Sequence, residues 1–152
     1  MRKIIFTRPD GGLSVVHPVR NTYLTPEELD DAQIEQRAWD KLPKDAINPR
    51  WADAAEIPAD RAFRNAWEDS GTVSVNMPKA RNLHREKLRG LRKPKMDALD
   101  VAYMRADELG DAVLKAEITV KKQALRNVTA DPAIEAAPTP EELEAVIPAA
   151  LR

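Results

Sequence analysis

The sequence predicts an α+β fold that is mainly helical: an N-terminal β-hairpin module, then a long helical hairpin and a short C-terminal helix. Three observations lead there. Two β-rich runs, Lys3-Ile4-Ile5-Phe6-Thr7 and Leu13-Ser14-Val15-Val16-His17, flank Arg8-Pro9-Asp10-Gly11-Gly12 near the start. Apolar residues recur at helical spacing through most of the second half. Pro, Gly and capping residues stand where one helix should give way to the next.

The hairpin rests on its turn, where Pro9 presets φ and the glycines accept positive φ. Two strands alone are marginal in water, so a third is expected, and Thr72-Val73-Ser74-Val75 is the candidate. An edge left open at Lys3–Thr7 or Leu13–His17 would offer unpaired backbone groups to a partner's strand.

Thr25-Pro26-Glu27-Glu28-Leu29 reads as a helix start, with Thr25 as cap, Pro26 in the first turn and Glu28 completing a capping box. Leu29, Ala32, Gln36 and Trp39 carry that helix to about Leu42, before Pro43. Residues 44–51 show no period and read as a loop. Phe63, Ala66 and Trp67 fall at i, i+3, i+4, which predicts one short helical turn that ends before Gly71. A boundary near Asn76 separates a mixed β/α module, 1–76, which holds all three Trp, from an Ala-rich helical arm, 77–152.

Met77-Pro78-Lys79 opens a helix over 78–109, with Ala80, Leu83, Lys87 and Leu91 on one face, followed by Met96, Leu99, Tyr103 and Ala106. Pro94 removes a hydrogen bond inside it, which predicts a kink or break near Arg92–Lys93. Gly110 then Asp111 reads as a C-cap followed by an N-cap. A second helix over 112–128, with Leu114, Ile118, Leu125 and Val128 inward, completes an antiparallel αα-hairpin. Asp131-Pro132 interrupts the chain, and Thr139-Pro140-Glu141-Glu142-Leu143 starts a last helix that Pro148 stops.

Composition narrows the function classes. The 43% apolar share leans on alanine and 32% of residues are charged, so an elongated, surface-rich protein that leans on a partner is expected. With 24 basic and 25 acidic residues, no global field points to nucleic acid or membrane. Cysteine is absent, which removes disulfides, thiolate nucleophiles and Cys-based zinc sites. The apolar run after Arg2-Lys3 is shorter than the roughly 7–15 residues of a signal peptide. No stretch approaches the roughly 18–20 apolar residues of a membrane span.

Catalytic patterns are missing as well. His17 and His84 stand far apart, so no metal site is expected. Ser14 and His17 share one ribbon without an orienting acid, and no Gly-x-Ser-x-Gly turn or Gly-rich phosphate loop occurs among five glycines. No catalytic, cofactor-binding or metal-ligating residue is therefore expected, and the reading is non-enzymatic.

Two features suggest binding. Residues 79–95 hold eight cations, Arg85, Arg89 and Arg92 among them, against one acid, Glu86. No aromatic interleaves them for base stacking, so an acidic protein surface or plain solvation is favoured over nucleic acid. Acids at Asp107, Glu108, Asp111, Glu135, Glu141, Glu142 and Glu144 could also answer the run, within the chain or in a neighbouring copy. The second feature is Trp51 with Phe63 and Trp67, flanked by Arg61 and Arg64, residue types enriched at binding hot spots.

Three runs together carry a resemblance: Arg8-Pro9-Asp10-Gly11-Gly12 after the opening strand; Pro58-Ala59-Asp60-Arg61-Ala62-Phe63-Arg64-Asn65-Ala66-Trp67 leading to Met77-Pro78-Lys79-Ala80-Arg81; and Lys122-Gln123-Ala124-Leu125-Arg126-Asn127-Val128-Thr129. In this order they resemble small proteins encoded among the structural genes of tailed bacteriophages of Gram-negative bacteria. The third run is also similar to the end of phage tail assembly chaperone-like proteins. The resemblance implies a virion protein of the tail or head–tail junction, made in the host cytoplasm. Its partners would be other phage structural proteins, tail, adaptor or fibre components, with several copies per particle. It leaves open a tail or tail-fibre assembly chaperone that is absent from the mature virion.

Overall fold

The structure is a computed structural model that describes residues 1–20 and 29–152. It is α+β and 56% helical, with the β-hairpin first and a long helix opening the second half, which is the fold class expected. The chain divides into two compact units, Met1–Asn76 and Met77–Arg152.

In the first unit, strands β1 (Lys3–Thr7), β2 (Leu13–Val16) and β3 (Ile47–Ala52) form an antiparallel sheet in the order β2-β1-β3. β1 is central, and Ile4 and Ile5, which point to opposite faces, are both fully buried. The hairpin turn is closed by Arg8 N–H to Gly12 O (2.8 Å) and by the Asp10 carboxylate accepting from Gly12 N–H (2.8 Å), with Gly11 at φ 78°.

The third strand is β3, not 72–75. It pairs Lys3 with Ala52 and Ile5 with Arg50, then shifts register so that Thr7 meets Ile47. The irregularity falls at Asn48, whose φ of 48° is left-handed, and Pro49, which has no N–H to give a ladder. Those two residues hide the strand period, which is why 44–51 reads as loop. Residues 73–75 instead form β5 (Val73–Val75), paired with β4 (Trp67–Asp69) in a separate hairpin. The Phe63–Trp67 turn is a 3-10 turn at Arg64–Ala66 that delivers Trp67 into β4 rather than onto a helix.

Helix α1 (Asp31–Asp40) starts later than the sequence suggests. Asp30 is its cap, in extended conformation, with a reciprocal capping box to Gln33. Leu29 is not helical, and the cap at Thr25 to Glu28 lies outside the described residues.

The second unit is helical. α2 (Met77–Glu108) runs unbroken through Pro94, so of the kink or break expected near Arg92–Lys93 the break is not there. α3 (Ala112–Asn127) follows a turn in which Gly110 takes φ 68° and the Asp111 carboxylate accepts from Leu114 N–H (2.9 Å). Asp131 does more than interrupt: it caps the short α4 (Pro132–Ala136). α5 (Pro140–Ala145) begins at Thr139, whose hydroxyl accepts from Glu142 N–H (3.2 Å).

The buried side of α2 in its first half is Ala80, His84 and Leu88; Lys87 and Leu91 are exposed. The expected face was one step off because it skipped a histidine. In the structure His84 is 1% exposed and its Nε2 lies 2.9 Å from Val146 O. Further along, Ala106 is buried and Leu99 and Tyr103 are half-buried on the inner side as expected. On α3, Ile118, Leu125 and then Val128 are inward, while Leu114 is exposed.

Candidate functional site

The aromatic group does not assemble as one cluster. Trp67 packs with Ile5, Leu13, Ala52 and Val73 in a core on one side of the sheet, and Phe63 is 5% exposed. Trp51 precedes Ala52 by one residue and so points to the other side. There it stacks on Trp39 of α1 at 5.0 Å between centroids, with the Arg2 guanidinium 4.5 Å above its ring. Arg2 in turn holds Glu35 through its backbone N–H (2.6 Å) and guanidinium (2.8 and 3.1 Å). Those bonds lower the Glu35 pKa below the ordinary carboxylate value. Of the residues singled out in this unit, Arg61 and Arg64 are exposed, Trp51 is half-buried, and Phe63 and Trp67 are core.

A second charged centre lies at Arg50. Its guanidinium donates to Asp69 (2.8 and 3.0 Å), Glu56 (2.8 Å), Gly71 O (3.3 Å) and Trp51 O (3.2 Å). The Asp69 carboxyl is held below its usual range, first by those hydrogen bonds. Every donor of the arrangement meets an acceptor of the same unit, so this centre joins β3 to the β4–β5 hairpin and leaves little for a ligand.

The basic run of α2 is also used mostly inside its own unit. Arg81 donates to Ile134 O (3.1 Å), Glu135 O (3.3 Å) and Ala137 O (3.1 Å). Arg85 reaches Thr129 O (3.3 Å) and pairs with Glu135. Lys87 meets Glu144 at 3.3 Å, Arg92 donates to Arg126 O (3.2 Å), and Lys95 to Leu151 O (3.0 Å) and Arg152 O (3.3 Å). Arg89 pairs with Glu86 and Lys93 with Asp97 (2.9 Å) on the same helix. So Arg85 and Arg92 hold segments of the chain after α2, whereas the Arg89 pair stays on the surface.

Exposed apolar side chains lie elsewhere on this unit. Val101, Met104 and Leu109 on or next to α2, and Val113 and Val120 on α3, are exposed, Leu109 by 81% and Val113 by 72%. A groove of about 440 Å³ lies on the hairpin, walled by Ala98 and Leu99, Ala124 and Leu125, and Ala150, with Lys95 and Lys121 at its margins. The sequence marked Leu99 and Leu125 only as inward-facing positions and Lys95 only as part of the basic run, and the exposed apolar residues did not stand out. The usable signal was phase: Val101 is two residues from each of Leu99 and Tyr103, on the far side of a helix whose inner side they define.

Among the described residues no group of three or more His, Asp or Glu side chains could hold a metal ion, and no helix is long and apolar enough to cross a membrane. No protein-family model, curated protein or solved structure matches the chain.

Proposed function

We propose that this chain is a non-enzymatic component of a tailed-bacteriophage particle, at the tail or head–tail junction, that works by binding other virion proteins through its helical unit. The observation that carries the binding part is the set of large apolar side chains left in water on the helical hairpin, Leu109, Val113 and Val120 above all. Single exposed apolar residues are ordinary, but these accompany an open apolar groove on the same pair of helices, and such surfaces mark interaction sites. The phage context comes from the three sequence runs described above. Internal use of Arg81, Arg85, Arg92 and Lys95 speaks against the DNA-binding alternative, because their donors are already directed to carbonyls of the same unit.

Mass spectrometry of purified particles tests the proposal. The chain is expected in them in several copies. Absence from mature particles overturns the virion reading. The similarity of 122–129 to the end of tail assembly chaperone-like proteins then favours the second reading, a chaperone that binds tail proteins during infection and leaves.

A further inference from the structure

We propose that the groove on the helical hairpin receives an amphipathic helix of a partner protein, apolar on one face and flanked by carboxylates. The inference rests on the protein-binding reading and names the site and the chemistry of the occupant.

Two apolar stripes meet at the groove. On α3, Val113, Val120 and Ala124 stand at i, i+7 and i+11, which places them on one face. On α2 and just past its end, Leu91, Ala98 and Leu109 stand at intervals of seven and eleven and share a face in the same way. Ala98 and Ala124 line the groove, and the outlying members are exposed. From Ala98 to Leu109 the stripe rises roughly 16 Å at 1.5 Å per residue, enough for about three turns of a docked helix. The walls hold three alanines, Ala98, Ala124 and Ala150, and short side chains let a partner's backbone approach closely. A helix lying in an apolar groove is a recurrent mode of recognition.

Charge selects the occupant. The charged residues lining the groove are Lys95 and Lys121, both cations. Arg105 lies seven residues beyond Ala98 on the α2 stripe, and against these three stand Glu117 on α3 and, toward the far end of the α2 stripe, Glu108 beside Leu109. Lys121 makes no hydrogen bond or ion pair within the described residues, while Lys95 is anchored by the Leu151 and Arg152 carbonyls. An apolar helix with Glu or Asp beside its apolar face satisfies both the walls and the margin. A basic one is opposed.

The test uses the full chain and two labelled helical peptides with the same Leu/Ala face, one flanked by Glu and one by Lys, read by fluorescence anisotropy. The Glu peptide is expected to bind about tenfold more tightly or better than its Lys twin. Ala124→Trp, which fills the groove from an exposed position, and Lys121→Glu, which removes no hydrogen bond or ion pair among the described residues, should each weaken it about tenfold with the circular dichroism spectrum unchanged. Equal binding of the twins, or an unchanged affinity in Ala124→Trp, overturns the proposal. So does a dimer seen by analytical ultracentrifugation and abolished by Ala124→Trp, which would make a second copy the occupant. If wild-type chain enters particles and Ala124→Trp enters them equally well, the groove fails while the protein-binding reading stands. If wild-type chain is missing from particles and the peptide result holds, the virion reading fails while the groove stands.

Discussion

Replacing Arg81 by Met should destabilise the helical unit far more than any other change in the basic run. The guanidinium donates to three carbonyls, Ile134, Glu135 and Ala137, at 3.1–3.3 Å, and its side chain is 20% exposed. Methionine keeps much of the aliphatic stem and removes every donor. A hydrogen bond from a charged donor contributes roughly 1.5–3 kcal/mol. The three bonds share one group, and water can reach part of the exposed end, so the loss should be about 2–3 kcal/mol rather than their sum. The ion pair to Glu135 adds little, since that carboxylate is 63% exposed at 3.6 Å. For a unit of this size about 2 kcal/mol corresponds to roughly 8–16 °C in Tm. Arg89→Gln is the control: it removes an exposed pair with Glu86 on the same helix and should cost less than about 0.5 kcal/mol. Urea unfolding followed at 222 nm, with hydrogen exchange at the Ala137 amide, measures both. If Arg81→Met is no more harmful than Arg89→Gln, the run does not act as a clamp on the later segments.

Three further outcomes follow from the same geometry. Pro94 has no N–H for the Gly90 carbonyl, and a Cβ on Gly90 would meet nothing within 4 Å; Pro94→Ala should stabilise the helix by about 1–3 kcal/mol and Gly90→Ala by about 0.5–1 kcal/mol, and a fall in the urea midpoint of either refutes this. Burial lowers the His84 pKa below 6.5, helped by Lys87 and Arg85 and opposed by the Val146 hydrogen bond and Glu144. The folded state therefore resists protonation while the unfolded chain accepts it, so this contribution is complete above pH about 6.5 and is lost as the pH falls through the lower folded value; an imidazole NMR titration at or above 6.5 would contradict it. Asp69→Asn should cost about 1–2 kcal/mol in the first unit by weakening the hold on Arg50, and an unchanged unfolding midpoint would count against that role.

Legibility followed the strength of the local signal. The Arg8–Gly12 turn, the Gly110-Asp111 junction and the Thr139-Pro140 helix start were readable because each is a short-range device whose residues satisfy their own neighbours' backbone groups. β3 was not, because Asn48-Pro49 breaks the alternation and only pairing with β1, some 45 residues away, makes a strand of it. Phe63 and Trp67 were legible as large apolar anchors, but whether they shared a side with Trp51 depends on a sheet register that no local pattern carries. The break expected at Pro94 did not occur. A proline's cost of about 3 kcal/mol is a local term, whereas Leu88 and Ala106 on either side of it are buried and α2 packs on the later helices α3 and α5.

The basic run shows how a count of charges can point to the wrong physics. Eight cations against one acid suggest a field looking outward. Yet a guanidinium's donors are directional, and those of Arg81, Arg85 and Arg92 are turned onto backbone carbonyls of the chain from Arg126 to Ala137. These carbonyls carry partial charge only, so the formal positive charge of the helix survives in the long-range field while its short-range recognition is already used. Such a surface can still steer an acidic partner toward the hairpin, but it has few free donors with which to grip one. Contact must then come from groups with no internal use among the described residues, chiefly the apolar Leu109, Val113 and Val120, with Ala98 and Ala124 in the groove and Lys121 at its margin. Steering and gripping are separable. Raising the salt from low to physiological should slow association of an acidic helix and leave its dissociation rate almost unchanged, whereas Ala124→Trp should raise the dissociation rate at either salt. Stopped-flow measurement of both rates decides the point: if salt changes dissociation as much as association, charge is gripping after all and the division of labour is refuted.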